Sequence, residues 1–241
     1  MLDKVNKDNS IDMSSRLRNF VLNNFVESRI ECLILYGSSL NEGNNLVKDF
    51  DFILLLDSYK VTDFDILEKF KCEIPNELFI DYKDQIIRKG INNYQRGRHG
   101  LYFFIALAYG KCLIGKNYYL DHLNEIDNKK VKKDLLFRVE EYFYRIQKHY
   151  LNDKSLDIEY IKKYISRIIF DILLYKQIIN FKDFHKVHYL DILTKYIHNG
   201  IFPIDLAEQI VELVNNNNIR TVPKIVGGLY NVYINEFEAN K

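Results

Sequence analysis

Two aspartates one residue apart, Asp49 and Asp51, open the wholly apolar run Phe52-Ile53-Leu54-Leu55-Leu56. Such a run reads as a buried strand, and its mouth is a costly place for carboxylates, because an ionised group taken out of water needs a partner or a shifted pKa. Residues i and i+2 of a strand share a face, so Asp49 and Asp51 project together while Phe50 and Phe52 point to the other side. Two like charges this close repel unless a cation sits between them, and hard divalent cations such as Mg²⁺ take carboxylate oxygens. The pair is a candidate metal site, and it requires a sheet to carry it.

The neighbouring sequence supplies that sheet. Short apolar runs at 31–36, 50–56, 77–82 and 111–114 read as strands, with helical stretches near 11–29, 61–71 and 99–109 between them. Seven of the ten glycines precede Lys116, and the chain beyond Asn117 turns to long segments of helical period. Val131, Leu135, Val139, Phe143, Ile146 and Tyr150 recur at spacings of three or four, as do Ile158, Ile161, Ile165, Ile168 and Ile172. Further helices are expected over 184–197, 204–214 and 223–237, and the NNNN run at 215–218 reads as an exposed turn. The expected fold class is therefore α+β: a small mixed β-sheet domain over 1–116 and an all-α domain over 117–241.

Upstream of the acids, the strand ending in Tyr36 runs into Gly37-Ser38-Ser39. Glycine lets the backbone approach a ligand closely, and the serines offer hydroxyl and N–H groups, so this turn is a candidate phosphate cradle. Downstream, Asp81 lies between Ile80 and Tyr82 in ELFIDY, a third carboxylate flanked by apolar residues. If that strand lies beside the one carrying Asp49 and Asp51, three carboxylates converge.

Gly37-Ser38, ten intervening residues and then Asp49-Phe50-Asp51-Phe52 resembles the hG[GS]x₉₋₁₃Dh[DE]h signature of the polymerase β-like nucleotidyltransferase superfamily. The resemblance covers about residues 30–116, and Asp81 matches that family's third acid. Length and a helical remainder are similar in layout to the antibiotic (aminoglycoside or lincosamide) nucleotidyltransferases. The resemblance implies a small mixed sheet with helices on one side, followed by a helical acceptor-binding domain. It also implies transfer of a nucleoside monophosphate from an NTP, ATP among them, to an acceptor hydroxyl, with pyrophosphate leaving. Asp49, Asp51 and Asp81 would hold two Mg²⁺, for which Mn²⁺ can substitute, with Asp81 also the base for the hydroxyl proton. Gly37, Ser38 and Ser39 would hold the triphosphate. The chain departs from drug-modifying members in the loop LNEGNNLVK, which carries Glu42 and no arginine.

A compensating feature follows. From Gln85 to Leu120 there is no Asp or Glu, while Arg88, Lys89, Arg96, Arg98, Lys111 and Lys116 are basic. Arg96 and Arg98, in the loop-like YQRGRHG, are the candidates for contact with triphosphate. The same segment suits a nucleic-acid acceptor, so nucleotidylation of RNA, such as a tRNA 3′ end, or of protein stands as the alternative. A non-catalytic, antitoxin-like binding module on the same scaffold is a further alternative, against which the presence of all three acids argues. A small, aminoglycoside-like acceptor is the leading expectation; Glu140 and Glu141 read as solvated helix-surface charges, with facing a cationic drug or acting as base the alternative.

Other features carry less. A net charge of +1 creates no global field for nucleic acid or membrane. No apolar run approaches the ~20 residues that cross a bilayer, and the polar N-terminus MLDKVNKDNS has no signal-peptide core, which reads as cytoplasmic. Cys32, Cys72 and Cys112 are scattered and read as packing residues. His185 and His188 form an HxxH, a zinc pair only if further ligands join it.

Overall fold

A computed structural model describes residues 2–40, 50–74, 77–96, 99–152, 157–183, 185 and 187–237, with backbone alone at 2–12, 38, 39, 77, 152 and 236. The chain divides into two compact units, one of Met1–Asn128 with Phe181–Lys186, the other of Lys129–Asn180 with Val187–Lys241. The boundary thus falls beyond 116, the position expected from the glycine distribution. The reason is local: after the last strand, Asn117 caps a short helix, accepting from the N–H groups of Tyr119 and Leu120. Its amide nitrogen donates to the carbonyls of Leu107 and Ala108. Those four bonds keep Tyr118 and Tyr119, both buried, within the first unit.

The first unit is built on a four-stranded sheet of order β3-β2-β1-β4. Strands β1 (Ile30–Tyr36), β2 (Asp51–Leu56), β3 (Glu77–Tyr82) and β4 (Lys111–Gly115) match the four apolar runs. β1 runs antiparallel to β2 and β4, whereas β3 is parallel to β2 and is reached through helix α2 (Thr62–Glu73). A parallel pair needs a crossover of this kind, which a tight hairpin cannot supply.

Helix α1 (Leu2–Asn24) presents Leu17, Phe20 and Val21 at helical spacing, and Phe25 follows it. These pack with Phe70 and Ile74 of the α2 segment on one sheet face, over Leu33, Leu35, Phe52, Leu54 and Leu56. The α2 end is fixed by a buried ion pair: Arg29, just before β1, donates to both carboxylate oxygens of Asp63 at 2.9 and 3.0 Å. Asp63 also accepts from the Lys60 N–H.

The opposite face carries Ile34, Tyr36, Asp51 and, on β3, Phe79 and Asp81. Helices α3 (Lys83–Lys89), α4 (Leu101–Ala108) and α5 (Tyr118–Asp121) complete the unit. α4, buried along its whole length, meets this face where Phe103 packs edge-on against Tyr36 at 5.2 Å. The short segment 181–186 returns to this unit from the helical one.

The second unit is helical: α6 (Asn128–Asn152), α7 (Ile158–Tyr175), α8 (Tyr189–Thr194), α9 (Ile204–Asn216) and α10 (Val222–Phe237). Val131, Leu135, Val139 and Ile146 of α6 and Ile161, Ile165, Ile168 and Ile172 of α7 are buried, as their spacing predicts. Within the NNNN run, Asn217 takes the left-handed conformation that ends α9. The α+β class expected from the sequence is the class observed. Among the described residues, no helix is long and apolar enough to cross a membrane.

Candidate active site

The antiparallel pairing of β1 and β2 sets Asp51 opposite Tyr36, the last residue of β1. The chain turns at once through Gly37, whose φ of 82° is a conformation side chains rarely tolerate. A Cβ added there would lie 2.6 Å from Asp51 Oδ2, so the carboxylate rests against the bare α-carbon. Sequence spacing proposed this turn and this acid as partners, and the structure brings them together. Ser38 and Ser39 follow in the one-turn helix Gly37–Leu40, but their side chains lie outside the described set. Asp49 and Arg98 also lie outside the described residues.

The third carboxylate, Asp81, does not stand beside Asp51. The parallel register of β2 and β3 pairs Asp51 with Glu77, and Leu55 with Asp81. Asp81 therefore shares a face with Asp51 but stands four residues further along, roughly 13 Å at the usual strand rise. Its carboxylate is already engaged. Oδ2 accepts from Tyr94 and Tyr119 at 2.6 and 2.9 Å, and Oδ1 accepts from Arg96 Nη1 at 3.1 Å. Burial and the Asp81 charge hold both tyrosines well above the usual phenol range, so each remains a donor.

Arg96 is placed by that network. Its guanidinium also lies over the Phe79 ring, 4.5 Å from the centroid. Phe79 occupies the strand position midway between Glu77 and Asp81, so Arg96 is held one strand repeat from Glu77. Backbone bonds exchanged between Arg96 and His99 close the chain on itself there, and His99 stacks on Phe103 at 4.9 Å. Within the basic segment, Arg96 is paired with Asp81 and Lys116 with Asp121.

His185 is the residue whose role sequence reasoning missed. Its Nδ1 accepts from the Gly37 N–H at 3.1 Å, and Nε2 donates to the Ala106 carbonyl in α4 at 2.7 Å. Both ring nitrogens are thus committed to backbone, while His188 Nδ1 caps α8 by accepting from the Leu190 N–H. An HxxH zinc pair does not form. The single pointer in the sequence was a histidine in a polar segment, which carries no information about a distant glycine.

On the helical unit, Glu141 is bound by Arg145 Nε and Nη2 at 2.8 and 2.6 Å, and Glu140 accepts from the Tyr233 hydroxyl. Both acids therefore have partners on their own unit. Cys32 is buried and Cys112 half-buried, but Cys72 is exposed, contrary to a packing role for all three.

Among the described residues, no group of three acidic, histidine or cysteine side chains gathers as a metal site. What is described at the sheet edge is the Asp51 carboxylate; the backbone register sets position 77 beside it, the Glu77 side chain lying outside the described set. Oxygen donors of this kind suit Mg²⁺ in their chemistry.

No protein-family model matches the sequence, and no curated protein matches it. In fold, the chain is similar to the crystal structure of spectinomycin adenyltransferase AAD(9) from Enterococcus faecialis with ATP and spectinomycin. The TM-score is 0.56 at 15% identity, covering 92% of this chain and 98% of that one. The likeness extends over both units, and it establishes a nucleotidyltransferase fold with a helical C-terminal region.

Proposed function

We propose that the chain is a nucleotidyltransferase that moves a nucleoside monophosphate, with ATP the favoured donor, onto a hydroxyl of a small cationic acceptor of the spectinomycin or aminoglycoside kind. One observation carries the reading: Asp51 rests on the side-chain-free Gly37 at the end of β1, the juxtaposition required if one turn is to hold phosphate beside a carboxylate. The fold likeness to an adenyltransferase bound to ATP and spectinomycin supports it.

Asp49, Asp51 and Glu77 are the carboxylates that would hold Mg²⁺, which when bound supplies charge stabilisation for an in-line displacement. Gly37 leaves room for the Asp51 carboxylate to close on the turn, and its own N–H is held by His185, so the phosphate contacts fall to Ser38 and Ser39 that follow it. Glu77 is assigned the acceptor proton on its backbone register beside Asp51. Asp81 holds Arg96, whose guanidinium is suited to phosphate oxygens. An RNA acceptor is the second reading, and two of the basic residues that favour it, Arg96 and Lys116, are paired with Asp81 and Asp121.

The test is incubation with labelled NTPs, Mg²⁺ or Mn²⁺, and separate sets of aminocyclitol antibiotics, tRNA and cell proteins. Label on a small hydroxylated cation supports the proposal. Label on RNA or protein alone, or no metal-dependent turnover with any acceptor, contradicts it.

A further inference from the structure

We infer that His185 is a positioning residue for the transfer site, tying the Gly37 amide to the α4 backbone and so fixing the turn on which Asp51 rests. The inference rests on the proposed nucleotidyl transfer for its catalytic meaning, though its geometric content stands by itself.

Three facts lead to it. First, the bonds run in series: Gly37 N–H to His185 Nδ1, then His185 Nε2–H to the Ala106 carbonyl. That order selects the neutral Nε2–H tautomer, because Nδ1 must keep its lone pair to accept. Second, the residue is only 6% exposed, the bond to Ala106 is buried and that to Gly37 part-buried, and burial depresses the imidazole pKa from the usual 6.5. Third, it bridges 148 residues of sequence to Gly37 and 79 to Ala106, from the short segment 181–186 that belongs to the first unit.

The consequence is mechanical. Gly37 sits at a φ of 82°, and its peptide orientation determines where the α-carbon meets Asp51. A bond to the amide of Gly37 itself restrains that orientation, and α4, buried from end to end, is the rigid body to which the restraint is referred. A site group misplaced by about an ångström costs on the order of a hundredfold in rate. A lever at the turn therefore acts on chemistry more than on affinity.

The experiment compares the full-length wild type with His185→Ala and His185→Gln. Glutamine carries one acceptor and one donor on neighbouring atoms and can restore both bonds. In ¹⁵N-labelled wild type, a scalar coupling across the hydrogen bond between Gly37 N and His185 Nδ1 is expected, with Nδ1 unprotonated. His185→Ala is expected to move the Gly37 amide and Asp51 carboxyl resonances and to lower kcat by about tenfold or more, with KM for ATP changed less. His185→Gln is expected to return the resonances and most of kcat. A protonated Nδ1, or Gly37 and Asp51 resonances unchanged in His185→Ala, overturns the inference whatever the activity. So does a kcat loss that glutamine leaves uncorrected while restoring the resonances. If the resonances move and return as stated but wild type transfers nucleotide to nothing, the restraint stands and the proposed function is the part that fails.

Discussion

The carboxylate of Asp51 lies where a side chain on Gly37 would have to be, with Oδ2 2.6 Å from the position of an added Cβ. Gly37→Ala therefore meets two penalties: a positive φ worth roughly 1–2 kcal/mol for a side chain, and a contact that only displacement of Asp51 relieves. Thermal melts should show a destabilisation of that order, with transfer activity reduced far beyond the change in stability. An alanine variant with wild-type activity would show that Gly37 and Asp51 need not touch.

Asp81 and Asp51 should separate cleanly on mutation. Asp81→Asn keeps an acceptor for the tyrosines but loses the charge that holds Arg96, so it should resemble Arg96→Ala, raising KM for the nucleotide while leaving metal dependence in place. Comparing Mg²⁺ titrations of the two variants checks this. If Asp81→Asn alone abolished metal-dependent turnover, Asp81 would be a metal ligand and Glu77 would not be needed in that role.

The strands were legible in the sequence because apolar runs bounded by polar turns leave few alternatives, and the α6 and α7 cores because their isoleucines, leucines and valines keep helical spacing. Choosing the third acid was not possible at that level. Glu77 and Asp81 lie on one face of the same strand, and only the pairing register, a property of two strands, decides which stands beside Asp51. Helix α3 was missed because Lys83 begins it directly after Tyr82, with no turn residue to mark the change. His185 was illegible for a related reason: its partners are backbone groups, which leave no trace in side-chain identity.

Two buried acids should give the chain opposite pH signatures. Burial raises the Asp63 carboxyl, but Arg29 and the Lys60 N–H outweigh it and the net shift is downward. Its stabilisation is present above the unfolded carboxylate value of about 4 and is lost as pH falls below that. Burial pushes the Asp171 carboxyl up to about 7, only partly offset by Arg138 and Arg167. That contribution is complete below about pH 4 and is lost as pH rises through 7. Melting temperatures between pH 5 and 8 should therefore fall less steeply with rising pH in Asp171→Asn. A slope unchanged from wild type would contradict the assignment.

Asp63→Ala at pH 7 should cost somewhat less than the about 3–5 kcal/mol of a fully broken buried pair, since the Arg29 guanidinium keeps the Ser58 carbonyl and the half-exposed Asp57 as partners. Denaturant unfolding measures this directly. Replacing Arg29 together with Asp63 by apolar residues should recover part of the loss, because removing both charges also removes their desolvation penalty.

The central claim is that carboxylates at the mouth of β2 and β3 support metal-dependent nucleotidyl transfer. The most direct measurement is turnover of labelled ATP with Mg²⁺ and an aminocyclitol acceptor in wild type, Asp51→Asn and Glu77→Gln, alongside circular dichroism. The account predicts label on the acceptor hydroxyl in wild type, a loss of at least about a hundredfold in both variants, and unchanged spectra. Wild-type rates in either folded variant would contradict it.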